Sequence, residues 1–246
     1  MSFKVIIPAR LNSSRLKEKV LIEINDMPMV IHVAQRASLS GAEQVVIATD
    51  DKKIVDIAGH YNFQSVMTDK NHLSGTDRCL EVAESMKWND KEIIVNVQAD
   101  EPLIEPKLID LLAKNIIEGQ SDYVTACSKF NSYKEFINPN NVKVILDNNS
   151  NALYFSRSPI PYSPSSDLFT NDYAFHHLGI YAYRVSVLRE FCSFSISNIE
   201  RIERLEQLRA LSNNLQLKVT PYDGKPIKGV DTLEDLEFVK EVLSNQ

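Results

Sequence analysis

Short β-branched runs alternate, through the first half of the chain, with stretches whose apolar residues recur at helical spacing: FKVII before Pro28–Leu39, QVVIAT before Lys52–Tyr61, EIIVNV before Pro106–Glu118. This alternation predicts βαβ units and an α/β fold with a mostly parallel central sheet. VVIA and IIVNV lack polar alternation, as strands covered by helices on both faces require. In the first helical stretch Val30, Val33, Ala34 and Ala37 fall at i, i+3, i+4 and i+7, and Pro28 stands where a first turn tolerates a missing N–H. That face is expected against the sheet. From about Asn131 to Pro164 the texture changes to NPNN, DNNSN and SPIPYSPSS, with VKVIL and ALYF as short strands between turn signals. The pattern reads as one domain over 1–246 with a small inserted subdomain at about 129–190, holding a hairpin suited to a dimer arm. Further on, Ile202, Leu205, Leu208 and Leu211 predict one helical stripe, and Leu236, Val239 and Leu243 another.

At 246 residues the chain can bury a sizeable core; 43% hydrophobic and 24% charged residues, with 10 Pro and 7 Gly, exclude fibrous and low-complexity classes. A formal charge of −6 argues against a nucleic-acid partner, because neutralising phosphodiesters takes a basic face, but it allows a small phosphate ligand in a local basic cleft. Cys79, Cys127 and Cys192 are odd in number and far apart, which suggests neither a disulfide framework nor a zinc site and fits a reducing compartment. The opening MSFKVIIPAR breaks at Pro8 and reads as a first strand, and no run approaches the ~20 apolar residues of a membrane span. A cytoplasmic location is expected.

Ligands of open parallel sheets bind beyond the carboxyl ends of the strands, so the residues that follow each strand carry the candidate chemistry. After the first strand, PARLNSSRLKEK brings Arg10, Arg15, Lys17 and Lys19 into one loop. Guanidinium groups bridge two phosphate oxygens and Lys adds a mobile point charge, so the loop suits a polyphosphate; a solvated basic loop accounts for the spacing equally well. Neither GxxxxGK[ST] nor GxGxxG is present, which argues against common ATPases and dehydrogenases. After IIVNV, QADEP places Gln98, Asp100 and Glu101 at the end of a central strand, where Asp100 beside a triphosphate suits Mg²⁺. In GVDTLEDLEFVK, Asp231 with Glu234 three residues on reads first as a helix cap and only second as a metal ligand. His176 and His177 open a strand-like run and face opposite ways; each reads as a hydrogen-bonding or packing histidine. Glu206 and Gln207 would pass as helix surface.

In order along the chain, IPARLNSSRL, ATDD, SGTDRC, VNVQADEP, NPNNVKV, ALYFSRSPIPY, HHLGIYAY, RIERLEQLRAL and GVDTLEDL closely resemble the 3-deoxy-manno-octulosonate cytidylyltransferase (CMP-Kdo synthetase) family. The resemblance implies a Rossmann-like nucleotidyltransferase fold, a homodimer, and transfer of CMP from CTP to Kdo, releasing diphosphate, for lipopolysaccharide biosynthesis. It implies nucleotide contacts from Pro8, Ala9, Arg10, Lys19, Ser74 and Gln98, with Arg15 also near the phosphates and sugar, and Mg²⁺ on Asp100 and Asp231, overriding the cap reading of Asp231. Sugar contacts are implied for Gln98, Arg157, His177, Tyr181, Glu206 and Gln207. Catalysis is thereby expected from Arg10, Arg15, Lys19, Asp100 and Asp231. The sequence departs from the family pattern at Ala99, where QGDEP is usual, in RLKEK for RLPGK, and in DTLEDL for DTPEDL. Those departures keep a related acid open, an 8-amino derivative of Kdo or a nonulosonate; a protein that binds CTP without turnover is the reading from another class.

Overall fold

The computed structural model describes residues 2–11, 16–162, 172–224 and 229–245. Among them the chain runs β1 (Phe3–Ala9), β2 (Glu23–Ile24), β3 (Met27–Pro28), α1 (Met29–Ser38), β4 (Gln44–Thr49), α2 (Lys52–His60), β5 (Gln64–Met67), α3 (Gly75–Ser85), β6 (Ile93–Asn96) and α4 (Pro106–Ile117). It continues as β7 (Tyr123–Ser128), α5 (Tyr133–Ile137), β8 (Lys143–Leu146), β9 (Ala152–Ser156), β10 (Phe175–Arg184), α6 (Val185–Ser193), α7 (Asn198–Glu203), α8 (Leu208–Ser212), β11 (Lys218–Pro221) and α9 (Leu233–Ser244). The main sheet has the order β11-β7-β10-β6-β1-β4-β5, with β8 attached to β10 and β9 to β8. Strand β1 lies parallel to β4 and β6, β4 to β5, and β7 to β11; β10 is antiparallel to both β6 and β7.

The expected α/β architecture with a mostly parallel sheet is therefore present, and its core explains the sequence pattern. Along β1, Val5 and Ile7 pack with α1 and α4 through Val30, Val33, Leu108 and Leu112, while Ile6 faces Val82, Leu188 and Leu208 on the other side. Both faces are covered, so the strand has no polar alternation. The four predicted contact residues of α1 are fully buried. Leu236 and Val239 of α9 join Ile24, Met29 and Leu103 in a separate small cluster, which ties the last helix to the β2–β3 pair.

The direction of β10 matters for function. Because it runs against its neighbours, its first residues lie at the same edge as the carboxyl ends of the parallel strands: His176 pairs with Ser128, the last residue of β7. The ring of His177, 6% exposed, is buried at that edge.

Two expectations are corrected. The stripe Ile202, Leu205, Leu208, Leu211 is not one helix: Arg204 adopts a left-handed conformation (φ 54°) that ends α7, and α8 begins at Leu208. The cause is the buried pair Glu200–Arg209, joined at 2.7 and 3.1 Å. In a continuous helix these residues would stand about 13 Å apart along the axis, so the chain doubles back to bring them together. Ile202, on the outer face, is 81% exposed. The second correction concerns the last helix. Its capping box is formed by Thr232 and Asp235, one residue later than Asp231 and Glu234. A Thr at the N-cap position, satisfying the Asp235 N–H, leaves the Asp231 side chain with other work.

Glu18 also occupies the left-handed region (φ 50°), at the position where the resembling family carries glycine. Among the described residues its one charged partner, Lys53 at 3.1 Å, is exposed and contributes little. Glu18→Gly is expected to stabilise the protein by about 1 kcal/mol, seen as a Tm rise of roughly 2–4 °C; a lower Tm would show that the turn is not strained. A pH dependence follows from His177. Burial, with His176 beside it, pushes its pKa down from 6.5 to about 3. Below pH 6.5 the unfolded chain takes up a proton that the folded protein refuses, so stability falls as pH falls from 6.5 toward 3. Denaturant titrations of wild type and His177→Gln should diverge by about 2 kcal/mol between pH 7 and pH 5, with the wild type losing more. Parallel losses in both proteins would contradict the assignment.

Candidate active site

One cavity of about 380 Å³ opens at the carboxyl edge of the sheet, lined on the strand side by Pro8, Arg10, Gln98, Ala99 and Asp100. Each follows or ends a parallel strand, the position from which side chains project past the sheet. Lys19 and Val20 close one wall. His72, Leu73, Ser74, Gly75 and Arg78 form the wall around the start of α3, and Glu206 comes from the bend between α7 and α8.

Lys19 is the electrostatic centre. Its ammonium, only 10% exposed, donates to Asp100 Oδ2 at 2.5 Å and Asp231 Oδ1 at 3.0 Å. The loop after β1, the turn after β6 and the approach to α9 thus meet at one cation. Two carboxylates converging on one positive charge are a donor set that fits a divalent metal, and Mg²⁺ commonly takes one or two carboxylates together with substrate oxygens and water. Among the described residues no three His, Cys, Asp or Glu gather into a metal cluster. Beside the pair, burial and then the charges of Asp100 and Asp231 push the Glu101 carboxyl up to about 8, with Lys19 opposing them.

The wall at α3 suits anionic oxygens. Ser74 caps the helix, accepting from the Asp77 N–H at 3.1 Å, and the positive end of the helix dipole faces the cavity. Gly75 lets this wall approach the end of β1 closely: a Cβ there would lie 3.1 Å from Pro8 Cγ, a tight contact that would need a shift of a few tenths of an ångström. Arg78, 4% exposed, is held by Asp50 Oδ2 at 3.1 Å and by the Thr68 hydroxyl. His72 contacts Glu81. Glu206 takes a hydrogen bond from Thr76 Oγ1 at 3.0 Å, while its other oxygen, Oε1, is buried with no hydrogen-bond partner among the described residues. Burial pushes its pKa up.

Of the residues expected from sequence, Pro8, Arg10, Lys19, Ser74, Gln98, Asp100 and Glu206 line this cavity, and Asp231 joins it through Lys19. Ala9 is fully buried behind Pro8. His177 and Tyr181 lie outside the lining but form a connected group beside it: their rings are 5.6 Å apart, and the charge of Glu206 is near enough to contribute to the upward shift of the Tyr181 phenol, after burial and Tyr123. Gln207 is buried at the start of α8, away from the cavity wall. The Arg157 guanidinium is bound to two carbonyls, Glu203 O at 2.9 Å and Pro139 O at 3.2 Å, so its cation is not directed into the lining. Arg15 lies outside the described residues. Sequence reasoning missed Arg78 and His72. Arg78 was within reach of it, since SGTDRC and ATDD supply both members of its pair with Asp50; His72 had no distinguishing signal.

Known proteins share this fold and sequence. The cytidylyltransferase family model matches residues 4–219. The chain is 43% identical to the 3-deoxy-manno-octulosonate cytidylyltransferase of Neisseria meningitidis serogroup A, covering 98% of this chain and 97% of that one. It is 42% identical to the enzyme of the same name from Haemophilus influenzae, covering 99% of both. The solved structure of CMP:2-keto-3-deoxy-manno-octonic acid synthetase complexed with CTP superposes with a TM-score of 0.90 at 35% identity, over 100% of this chain and 99% of that one. Full-length similarity at this level leads to one assignment: the chain belongs to the cytidylyltransferase family, with the 3-deoxy-manno-octulosonate cytidylyltransferases.

Proposed function

We propose that the chain transfers CMP from CTP to 3-deoxy-manno-octulosonate, giving CMP-Kdo and diphosphate. The single observation that carries the reading is the meeting of Lys19, Asp100 and Asp231 at the mouth of a cavity otherwise lined by Arg10, Arg78 and the start of α3. A triphosphate brings several negative charges, and Arg10, Lys19, Arg78 and the helix terminus are the groups positioned to balance them. The sugar's anomeric hydroxyl attacks the α-phosphorus and diphosphate leaves, with no covalent enzyme intermediate; positioning and charge neutralisation do the catalysis. Asp100 and Asp231 would hold Mg²⁺, whose contribution is to neutralise phosphate oxygens and polarise the attacked centre. Lys19 lines the same cavity as Arg10 and Arg78, and its ammonium would serve the phosphates there. Glu206, with a buried oxygen that accepts no hydrogen bond among the described residues, and the adjacent His177 and Tyr181 suit the hydroxyls of the acidic sugar.

A second copy of the chain completes the proposal. Leu153 on β9 is 60% exposed and Ile202 on α7 is 81% exposed, and the two elements are joined by the Ser156–Glu203 hydrogen bond at 2.6 Å. Exposed apolar side chains on an edge strand and on the helix bonded to it suit a homodimer contact. Among the described residues no helix is long and apolar enough to cross a membrane, and Cys79, Cys127 and Cys192 are free thiols, as a cytoplasmic enzyme would keep them. Ala99, 4% exposed, lies in the lining beside Gln98, so its methyl group bears directly on which acid fits.

With CTP and Mg²⁺, diphosphate release should be observed with Kdo; release only with an 8-amino derivative or a nonulosonate would replace the named sugar, and CTP binding without any release would favour a sensor. Asp100→Asn and Asp231→Asn should each lower kcat on the order of 100-fold at limiting Mg²⁺, and a chelator should abolish wild-type turnover reversibly. Undiminished turnover of Asp100→Asn under those conditions would remove the metal pair. Sedimentation of Leu153→Glu/Ile202→Glu should yield monomer where the wild type yields dimer, and an unchanged dimer would place the interface elsewhere.

A further inference from the structure

Between Leu178 and Tyr181, β10 slips its register against β7. His176, His177 and Leu178 pair with Ser128, Cys127 and Ala126, and pairing resumes with Tyr181 opposite Thr125. Gly179 and Ile180 stand in the irregularity, outside the ladder. The Ile180 carbonyl is satisfied by a side chain: Thr125 Oγ1 donates to it at 2.7 Å. Both residues are fully buried, so no solvent competes for that bond.

A hydroxyl has a single hydrogen. Once it is committed to a carbonyl, which can only accept, the Thr125 oxygen meets any other neighbour as an acceptor. The neighbour is His177 Nε2, at 2.9 Å. Nε2 must therefore carry the ring's hydrogen. A neutral ring has only one, and burial keeps this ring neutral through the physiological range. The remaining nitrogen, Nδ1, is left with its lone pair and makes no hydrogen bond among the described residues. Phe155, edge-on at 4.9 Å, and Tyr181, at 5.6 Å, hold the plane of the ring.

We propose that Thr125 is a positioning residue for sugar binding: by committing its proton to Ile180 it fixes His177 as the Nε2–H tautomer and presents Nδ1 as an acceptor to a hydroxyl of the acidic sugar. The inference rests on the reading above that His177 contacts the sugar. The irregularity in β10 has a purpose in this arrangement. A regular ladder would occupy the Ile180 carbonyl, and the threonine proton could then point at His177 and select the opposite tautomer. The ring would present N–H rather than a lone pair, and a sugar hydroxyl would have to accept instead of donate.

The tautomer is measured directly by two-bond ¹H–¹⁵N correlation spectra of the substrate-free protein labelled at histidine. Wild type and Thr125→Ser are expected to show Nε2–H at His177, and Thr125→Val, nearly the same in shape but unable to accept, should lose that preference. In kinetics Thr125→Val should raise the KM for the sugar acid roughly 3- to 10-fold, as the loss of one well-formed hydrogen bond does, with kcat and the KM for CTP changed less than about twofold and with Thr125→Ser restoring the wild-type value. Retention of Nε2–H in Thr125→Val, or an unchanged KM for the sugar, overturns the proposal. His177→Ala separates the two readings. If it leaves the sugar KM unchanged while the tautomer still depends on Thr125, the sugar contact is wrong; if it raises that KM while Thr125→Val alters neither readout, the positioning role is wrong.

Discussion

Everything at the functional edge is arranged around one buried ammonium. Lys19 is 10% exposed, and a lysine so enclosed is stable as a cation only with anionic partners in contact. Asp100 and Asp231 are those partners, and they come from 81 and 212 residues away along the chain. The constraint therefore reaches through the whole topology: β1 and β6 must be neighbours so that their trailing loops meet, and α9 must return across the β2–β3 pair so that Asp231 arrives at the same point. The small apolar cluster of Ile24, Met29, Leu103, Leu236 and Val239 secures that return. Removing either carboxylate would still leave the ammonium one anionic partner, so the second carboxylate, at an exposure of 31% for Asp100 or 43% for Asp231, is more than holding Lys19 requires and leaves a donor for other chemistry.

A second buried pair does the same for the sugar side. Glu200 and Arg209 meet at 2.7 Å, with Phe191 beneath the guanidinium at 4.9 Å. Their approach forces the chain to bend at Arg204, and the bend is what turns Glu206 into the cavity instead of onto a helix surface. Arg209 also lies 4.0 Å from Glu206, close enough to oppose the desolvation that raises its pKa. The cost of a left-handed arginine, of the order of 1 kcal/mol, is small beside the loss expected from breaking a buried ion pair.

These two pairs also mark how far the sequence could be read. Periodicity located β1, α1, β4, α2, β6 and α4 because each buries a face against the same sheet, and burial of that kind is a local signal. It failed at Leu205–Leu211, where the apolar spacing of a helix is real but a contact between residues nine apart overrides it. It failed at Asp231 by one residue, since Asp231 and Thr232 are both good caps and only the tertiary ion pair decides between them. From spacing alone the phosphate side was legible as a basic loop and a carboxylate turn. The sugar side was legible only through family likeness: Glu206, His177 and Tyr181 have no sequence spacing that announces a site, and they come together through a helix break and an antiparallel strand. For Arg157 family likeness gave the residue and not its pose, which is set by the carbonyls of Pro139 and Glu203.

The two sides of the site solve opposite electrostatic problems. At the cavity, where the phosphates are proposed to bind, Arg10, Lys19 and Arg78 are placed where an anion could pair with them, and the carboxylates that hold Lys19 and Arg78 keep those cations ordered. Beside the cavity, at the positions proposed for the sugar, burial keeps the histidine and tyrosine rings uncharged. The His177 and His176 rings are pushed down to about 3 and 4, and the Tyr181 phenol is raised well above its ordinary range. Neutral donors and acceptors read the direction of a hydroxyl bond and are insensitive to salt, whereas charges read total charge at a distance. An acidic sugar distinguished from its relatives by the placement of hydroxyls needs the first kind of reading. That need would account for a fold that buries the His177 ring at its functional edge and satisfies it through a threonine whose proton is already taken.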